Sequence, residues 1–70
     1  MLNMTKKRQE KGITQHELAR RANIHPSDVC KIEQGWLRPY PSQAKRLSYV
    51  LKVDVTELLI QVNDKEPING

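Results

Sequence analysis

Gly12, Asn23 and Gly35 each fall where a helix-forming stretch runs out, and Pro39 and Pro41 interrupt the segment after Gly35. Glycine and asparagine accept the left-handed backbone that ends helices, and proline cannot continue one. A chain punctuated in this way has room only for short helices. Helix formers with a basic face run from Asn3 to Lys11. A second helix is predicted over Gln15–Ala22, with Thr14 and Glu17 at capping-box spacing and Leu18, Ala19 and Ala22 as its apolar face. The third opens at Pro26, a residue favoured at the first helical position, and turns Val29 and Ile32 inward until Gly35 stops it.

After the proline-broken loop Trp36–Pro41, a fourth helix is expected from about Ser42 to Leu51. There Ala44, Leu47, Ser48 and Leu51 fall three and four residues apart on one face. Asp54 is placed to cap a short fifth helix from Val55 to about Gln61, packed through Leu58 and Leu59. Strand-like alternation is nowhere sustained, so the fold class is all-α with five short helices in one domain, residues 1–61. Residues 62–70, polar with Pro67 and a final Gly, read as a flexible tail.

Seventy residues bury only about 60% of the surface their unfolded chain exposes, so the core is small. With no Phe, one Trp and two Tyr, it must be assembled from aliphatic side chains, which suits helix-on-helix packing. A single cysteine, Cys30, closes no intramolecular disulfide, and the chain has neither an apolar signal stretch near its start nor a run long enough to span a bilayer. These features fit a reducing, cytoplasmic setting with no membrane partner.

Charge is unevenly divided. Residues 1–52 hold eleven Lys/Arg against four Asp/Glu, and residues 53–70 hold one against four. A basic body with an acidic end attracts polyanions, nucleic acid first. Catalysis would need a nucleophile with an oriented base or a glycine-rich phosphate cradle, and three scattered glycines supply none, so no enzyme, cofactor or small-molecule substrate is expected. His16, His25 and Cys30 lie on different helix starts and faces, so no metal site is expected either.

One stretch carries the functional reading. Gly12-Ile13-Thr14-Gln15 with Glu17-Leu18-Ala19, then Val29-Cys30-Lys31-Ile32-Glu33-Gln34-Gly35, Pro39, and Leu51-Lys52-Val53 before Leu58-Leu59 stand in order. In this the chain resembles, over residues 3–60, the lambda-repressor-like helix-turn-helix family of Cro and CI repressors, also called the XRE type. The resemblance implies a compact five-helix DNA-binding domain whose helices two and three form the helix-turn-helix, with helix three in the major groove. Carried over by position, the base readers are Pro26, Ser27, Asp28 and Lys31.

Their chemistry suits that role. Lys31 can donate to guanine, Ser27 can donate or accept, Asp28 can accept from cytosine and Pro26 can touch a thymine methyl, each good pairing being worth roughly 1–3 kcal/mol of discrimination. Asp28 could instead only cap its own helix. Thr14 and Gln15, at a helix N-terminus, are placed to anchor phosphate, with Gln34, Trp36 and Arg38 on the other flank. Gln34 could equally be a plain helix-end residue, and Trp36 a ring covering the edge of the core. Arg8 and Glu33 match positions where family members place a structural ion pair between helices one and three; two exposed, unpaired residues are the alternative.

The resemblance further implies a homodimer on double-stranded DNA with a palindromic operator, the protein acting as a transcriptional regulator, most simply a repressor. Val55, Leu59 and Ile60 are the candidate dimer contacts. Two other readings stay open: an antitoxin-type autoregulator that also binds a toxin-like protein, and a protein-interaction module docking through Trp36, Leu37 and Tyr40. Lys52 departs from the family's usual glycine, so either it takes a left-handed conformation under strain or the turn differs.

Overall fold

In the computed structural model, which describes residues 1–62, four helices form: α1 Asn3–Glu10, α2 Gln15–Ala22, α3 Pro26–Glu33 and α4 Pro41–Leu51. Each ends in the same way. Gly12, Asn23, Gly35 and Lys52 take the left-handed conformation, with φ of 72°, 56°, 82° and 59°. The residue after each reaches back across the last turn: Ile13 to the Arg8 carbonyl, Ile24 to Ala19, Trp36 to Lys31 and Val53 to Ser48. This is the Schellman ending, which satisfies carbonyls left open by the helix. The Lys52 alternative is thereby resolved in favour of a left-handed lysine, at a strain of about 1–2 kcal/mol.

The residue after the left-handed position normally folds onto the helix it closes. Ile24 is buried, and Ile13 and Val53 pack against the core, but Trp36 stays 74% exposed. Unlike the other three, Trp36 does not bury its side chain against the helix it closes.

Helix starts are satisfied in different ways. Thr14 Oγ1 accepts the Glu17 backbone N–H at 3.0 Å, which is half of the expected capping box. The reciprocal half is not made, because the Glu17 carboxylate turns instead to Arg20 and Arg21. At α4 the converse half appears: Gln43 Oε1 accepts the Tyr40 backbone N–H at 2.9 Å. That helix begins at Pro41, one residue earlier than expected, with proline in its first turn.

α1 has no side-chain cap, since Leu2 stands at its N-cap. The orphan N–H groups are taken by a remote segment instead: Asn3 donates to the Ile60 carbonyl at 2.7 Å and Met4 to Leu58 at 3.0 Å. Leu2 and Gln61 form an isolated antiparallel bridge, and the Val62 N–H reaches the Met1 carbonyl at 2.8 Å. This corrects the fifth helix. Asp54 caps it as expected, but only one 3-10 turn forms, Val55–Glu57. Continuing the helix would need the Leu58 carbonyl and the Val62 N–H to bond each other, and both are engaged with α1 and its approach. The fold is all-α, with four helices and that turn. Of the tail expected over 62–70, residues 63–70 lie outside the described residues.

The core gathers at the crossing of α2 with α3 and α4. Met4, Leu18, Val29, Ile32, Leu47 and Leu58 are its largest fully buried side chains, each worth roughly 1.5–3 kcal/mol when removed from water. Ala19 and Ala22, fully buried, let α3 and α4 approach α2 closely. Arg46 on α4 adds a polar tie by donating from Nε to the Ala22 carbonyl at 2.7 Å.

Candidate nucleic-acid interface

α3 is pressed onto the body by Val29 and Ile32, both fully buried, which leaves its opposite face outward. Ser27 and Lys31, four residues apart and so on one face, are exposed; Pro26 and Asp28 are half-buried. Lys31 makes no ion pair among the described residues, although Glu33 lies two positions on. Its ammonium therefore faces solvent as an uncommitted donor.

The start of α3 follows from donor accounting. Pro26 has no N–H, and the His25 carbonyl takes the N–H groups of Asp28 and Val29 at 2.9 and 3.2 Å. Ser27 is left with the one orphan N–H of the first turn, and the His25 ring takes it, Nδ1 accepting at 3.2 Å. The Ser27 hydroxyl lies 2.8 Å from the same nitrogen. The cap is thus His25, and Asp28 accepts no hydrogen bond among the described residues, which removes the reading of Asp28 as its own helix's cap.

Glu33, at the other end of α3, joins three elements. Arg8 Nε donates to Oε2 at 2.8 Å and an Arg8 terminal nitrogen to Oε1 at 3.2 Å. The second Arg8 terminal nitrogen donates to the Ile13 carbonyl at 2.8 Å. The pair is nearly enclosed, with side chains 13% and 5% exposed. A third donor goes beyond the expected pair: Gln15 Nε2 reaches Glu33 Oε1 at 2.9 Å. This two-pronged arginine geometry is the strongest form of the contact, and all three donors to the carboxylate come from α1 or the start of α2. The angle of α3 against α1 and α2 is set here. Gln15 keeps one amide N–H and its carbonyl for other partners.

The remaining expected phosphate contacts separate into two places. Thr14, exposed, caps α2 beside Gln15, and its hydroxyl proton remains free while the oxygen accepts from Glu17. Arg38 and Trp36 line a shallow groove beyond the end of α3 together with Leu37, Gly35 and Leu59. Gln34 lies back along its own helix, its amide 3.6 Å from Cys30 Sγ. On α2, Glu17 is held at a pKa of about 2 by hydrogen bonds from Arg20 and then Arg21, and Arg20 is raised by the same contact.

The candidate dimer residues also lie at the surface. Val55 and Ile60 are exposed and Leu59 half-buried, and Val55 and Leu59 line a groove with Arg38 and Pro39. Residues missed by sequence reading are the long-range ones, Arg46 and the Gln15 amide, together with the His25 cap. The His25 cap alone had a local signal, since a ring nitrogen at the residue before Pro26 can reach the N–H two positions on. Among the described residues, no three His, Cys, Asp or Glu gather in a way that could hold a metal ion, and no helix is long and apolar enough to cross a membrane.

Two short helices joined by a tight turn at a left-handed Asn23, the second held by its inner face and offering its outer one, define a helix-turn-helix domain. The helix-turn-helix family model matches residues 4–58, and the chain belongs to that family, the Cro/CI or XRE type of DNA-binding regulators. Among curated proteins none is similar enough to this chain to count as a relative.

Proposed function

We propose that the protein is a sequence-specific, double-stranded DNA-binding transcriptional regulator, acting as a repressor, with α3 reading the major groove. The observation that carries this reading is α3 itself: its inner face is buried, its ends are fastened by His25 and by the Arg8–Glu33–Gln15 cluster, and its outward face offers Ser27 and Lys31. The uneven charge supports it, since the body that carries α3 is the basic part of the chain. Pro26 and Asp28 complete the reading residues, and Thr14, Gln15, Gln34, Trp36 and Arg38 contact phosphates on either flank.

A single domain of this size makes few base contacts, so we assign it a homodimer on a palindromic operator, joined through Val55, Leu59 and Ile60 with half-sites about one helical turn apart. The exposure of two of these three apolar side chains supports that face. Selection from a random duplex pool tests both statements. Wild type yields a palindromic motif, and Lys31→Ala degrades one base pair in each half-site. Salt-dependent binding without a motif would mean charge attraction without readout and would overturn the proposal. A monomer by sedimentation, both free and on the selected DNA, would remove the dimer.

A further inference from the structure

Resting on that reading of α3, we propose that His25 is a positioning residue that turns the Ser27 hydroxyl into a pure acceptor, so that Ser27 selects a base presenting an amino group in the major groove.

A serine hydroxyl ordinarily serves either way, one proton to give and two lone pairs to accept with. Here the neighbouring ring removes that freedom. The Ser27 backbone N–H points at His25 Nδ1, 3.2 Å away, a geometry that suits the ring tautomer with its proton on Nε2 and Nδ1 as acceptor. In that tautomer the Ser27 hydroxyl, 2.8 Å from the same Nδ1, bonds it by donating. Its proton is committed to the His25 ring, and the lone pairs of Oγ stay available at the exposed surface.

A related arrangement occurs a second time in the chain, with a carboxylate oxygen, which has lone pairs for two donors, in place of the ring nitrogen, whose one lone pair both donors share. Asp54 Oδ1 accepts both the backbone N–H and the hydroxyl of Thr56, each at 3.0 Å. A carboxylate can only accept, so the Thr56 hydroxyl must donate. His25 and Ser27 repeat the pattern, cap residue to hydroxyl two positions on, at the helix that faces DNA.

In the major groove only cytosine and adenine present a donor, N4–H and N6–H, whereas guanine and thymine present acceptors alone. An acceptor-only Ser27 therefore favours cytosine or adenine on the contacted strand by roughly tenfold. Freed from His25, the hydroxyl would rotate and accept all four bases with little preference.

Selection from random duplexes with wild type, Ser27→Ala, His25→Ala and His25→Asp tests this, with thermal melting to establish that each variant folds. Wild type is expected to enrich cytosine or adenine at one position of the half-site. Ser27→Ala loses the preference there alone, which identifies the position. His25→Ala, if folded, keeps the rest of the motif but admits guanine and thymine at that position. His25→Asp restores the cytosine or adenine preference, because aspartate caps the helix and accepts the hydroxyl as Asp54 does. A stability role alone would change melting and affinity but leave the base preference intact.

A wild-type preference for guanine or thymine that Ser27→Ala abolishes would overturn the proposal, because the hydroxyl would then be donating outward. So would His25→Asp selecting all four bases. A motif that Ser27→Ala leaves unchanged would overturn it while leaving the regulator reading intact, whereas the absence of a motif from every pool would overturn both.

Discussion

The corner between α2 and α3 and the closure of α1 by the segment Leu58–Val62 solve the same problem by opposite means. At the corner, free backbone groups find partners within a few residues: Thr14 caps Glu17, His25 caps Ser27, and Asn23 lets Ile24 reach Ala19. At α1, Asn3 and Met4 find theirs more than fifty residues away. The hydrogen-bond accounting of the corner therefore closes locally, although its core is shared with the other helices, while α1 can start properly only in the finished fold. The Arg8–Glu33–Gln15 cluster is the joint between the two, tying α1 to both helices of the corner.

Breaking that joint should have the largest effect. Glu33→Ala leaves a nearly enclosed Arg8 without its carboxylate, and a loss of about 3–5 kcal/mol is expected. That is a large share of the roughly 4–10 kcal/mol a domain of this length possesses, so urea denaturation should show a sharply lowered midpoint or no folded baseline. The double variant Arg8→Met/Glu33→Leu should recover most of it, because the stranded charge is gone. Failure to recover would mean that the hydrogen bonds to the Ile13 carbonyl and from Gln15, which the double variant also removes, weigh as much as the charge pair.

Leu58→Ala strikes the closure where it enters the core. Leu58 is fully buried and its carbonyl receives the Met4 N–H, and truncation should cost about 3 kcal/mol. Hydrogen exchange should then show α1 losing protection before α2 and α3. Equal loss across all helices would show that the two regions are not separable.

Lys52→Gly sharpens the contrast from the other direction, because it relieves strain at the end of α4 without removing a hydrogen bond. It should raise stability by about 1 kcal/mol in thermal melts. The smallest effect belongs to Glu17, whose contacts lie wholly within α2 and its cap. Its folded pKa of about 2 lies below the ordinary carboxylate value of 4.5, so its contribution is present above 4.5 and is lost as pH falls through 2. The melting difference between wild type and Glu17→Gln should be small at neutral pH, since the pair is solvent-screened, and should vanish near pH 2.

What could be read from residues alone divides along the same line. Gly12, Asn23 and Gly35 mark helix ends because backbone conformation is a local property, and Val29 with Ile32 mark the inner face of α3 because helical spacing is local too. The length of the fifth helix was not legible. Asp54 and the apolar run after it favour helix, and the competitor, the unsatisfied N–H groups of α1, lies at the far end of the chain. Arg8 and Glu33 could be paired only through the family resemblance, and nothing in that pattern indicated that Gln15 joins them. Trp36 is ambiguous in sequence for a related reason: its backbone closes α3 as its position implies, but its ring leaves the core.

The pairing of Leu2 with Gln61 and of Met1 with Val62 also bears on how the molecule is made. α1 is the first of these helices to leave the ribosome, yet the carbonyls that complete its first turn belong to residues synthesised more than fifty positions later. While those residues are still inside the exit tunnel, α2 and α3 can form their corner but α1 has no proper start. Completion of α1 therefore waits on the segment Leu58–Val62, whatever the corner has formed before it.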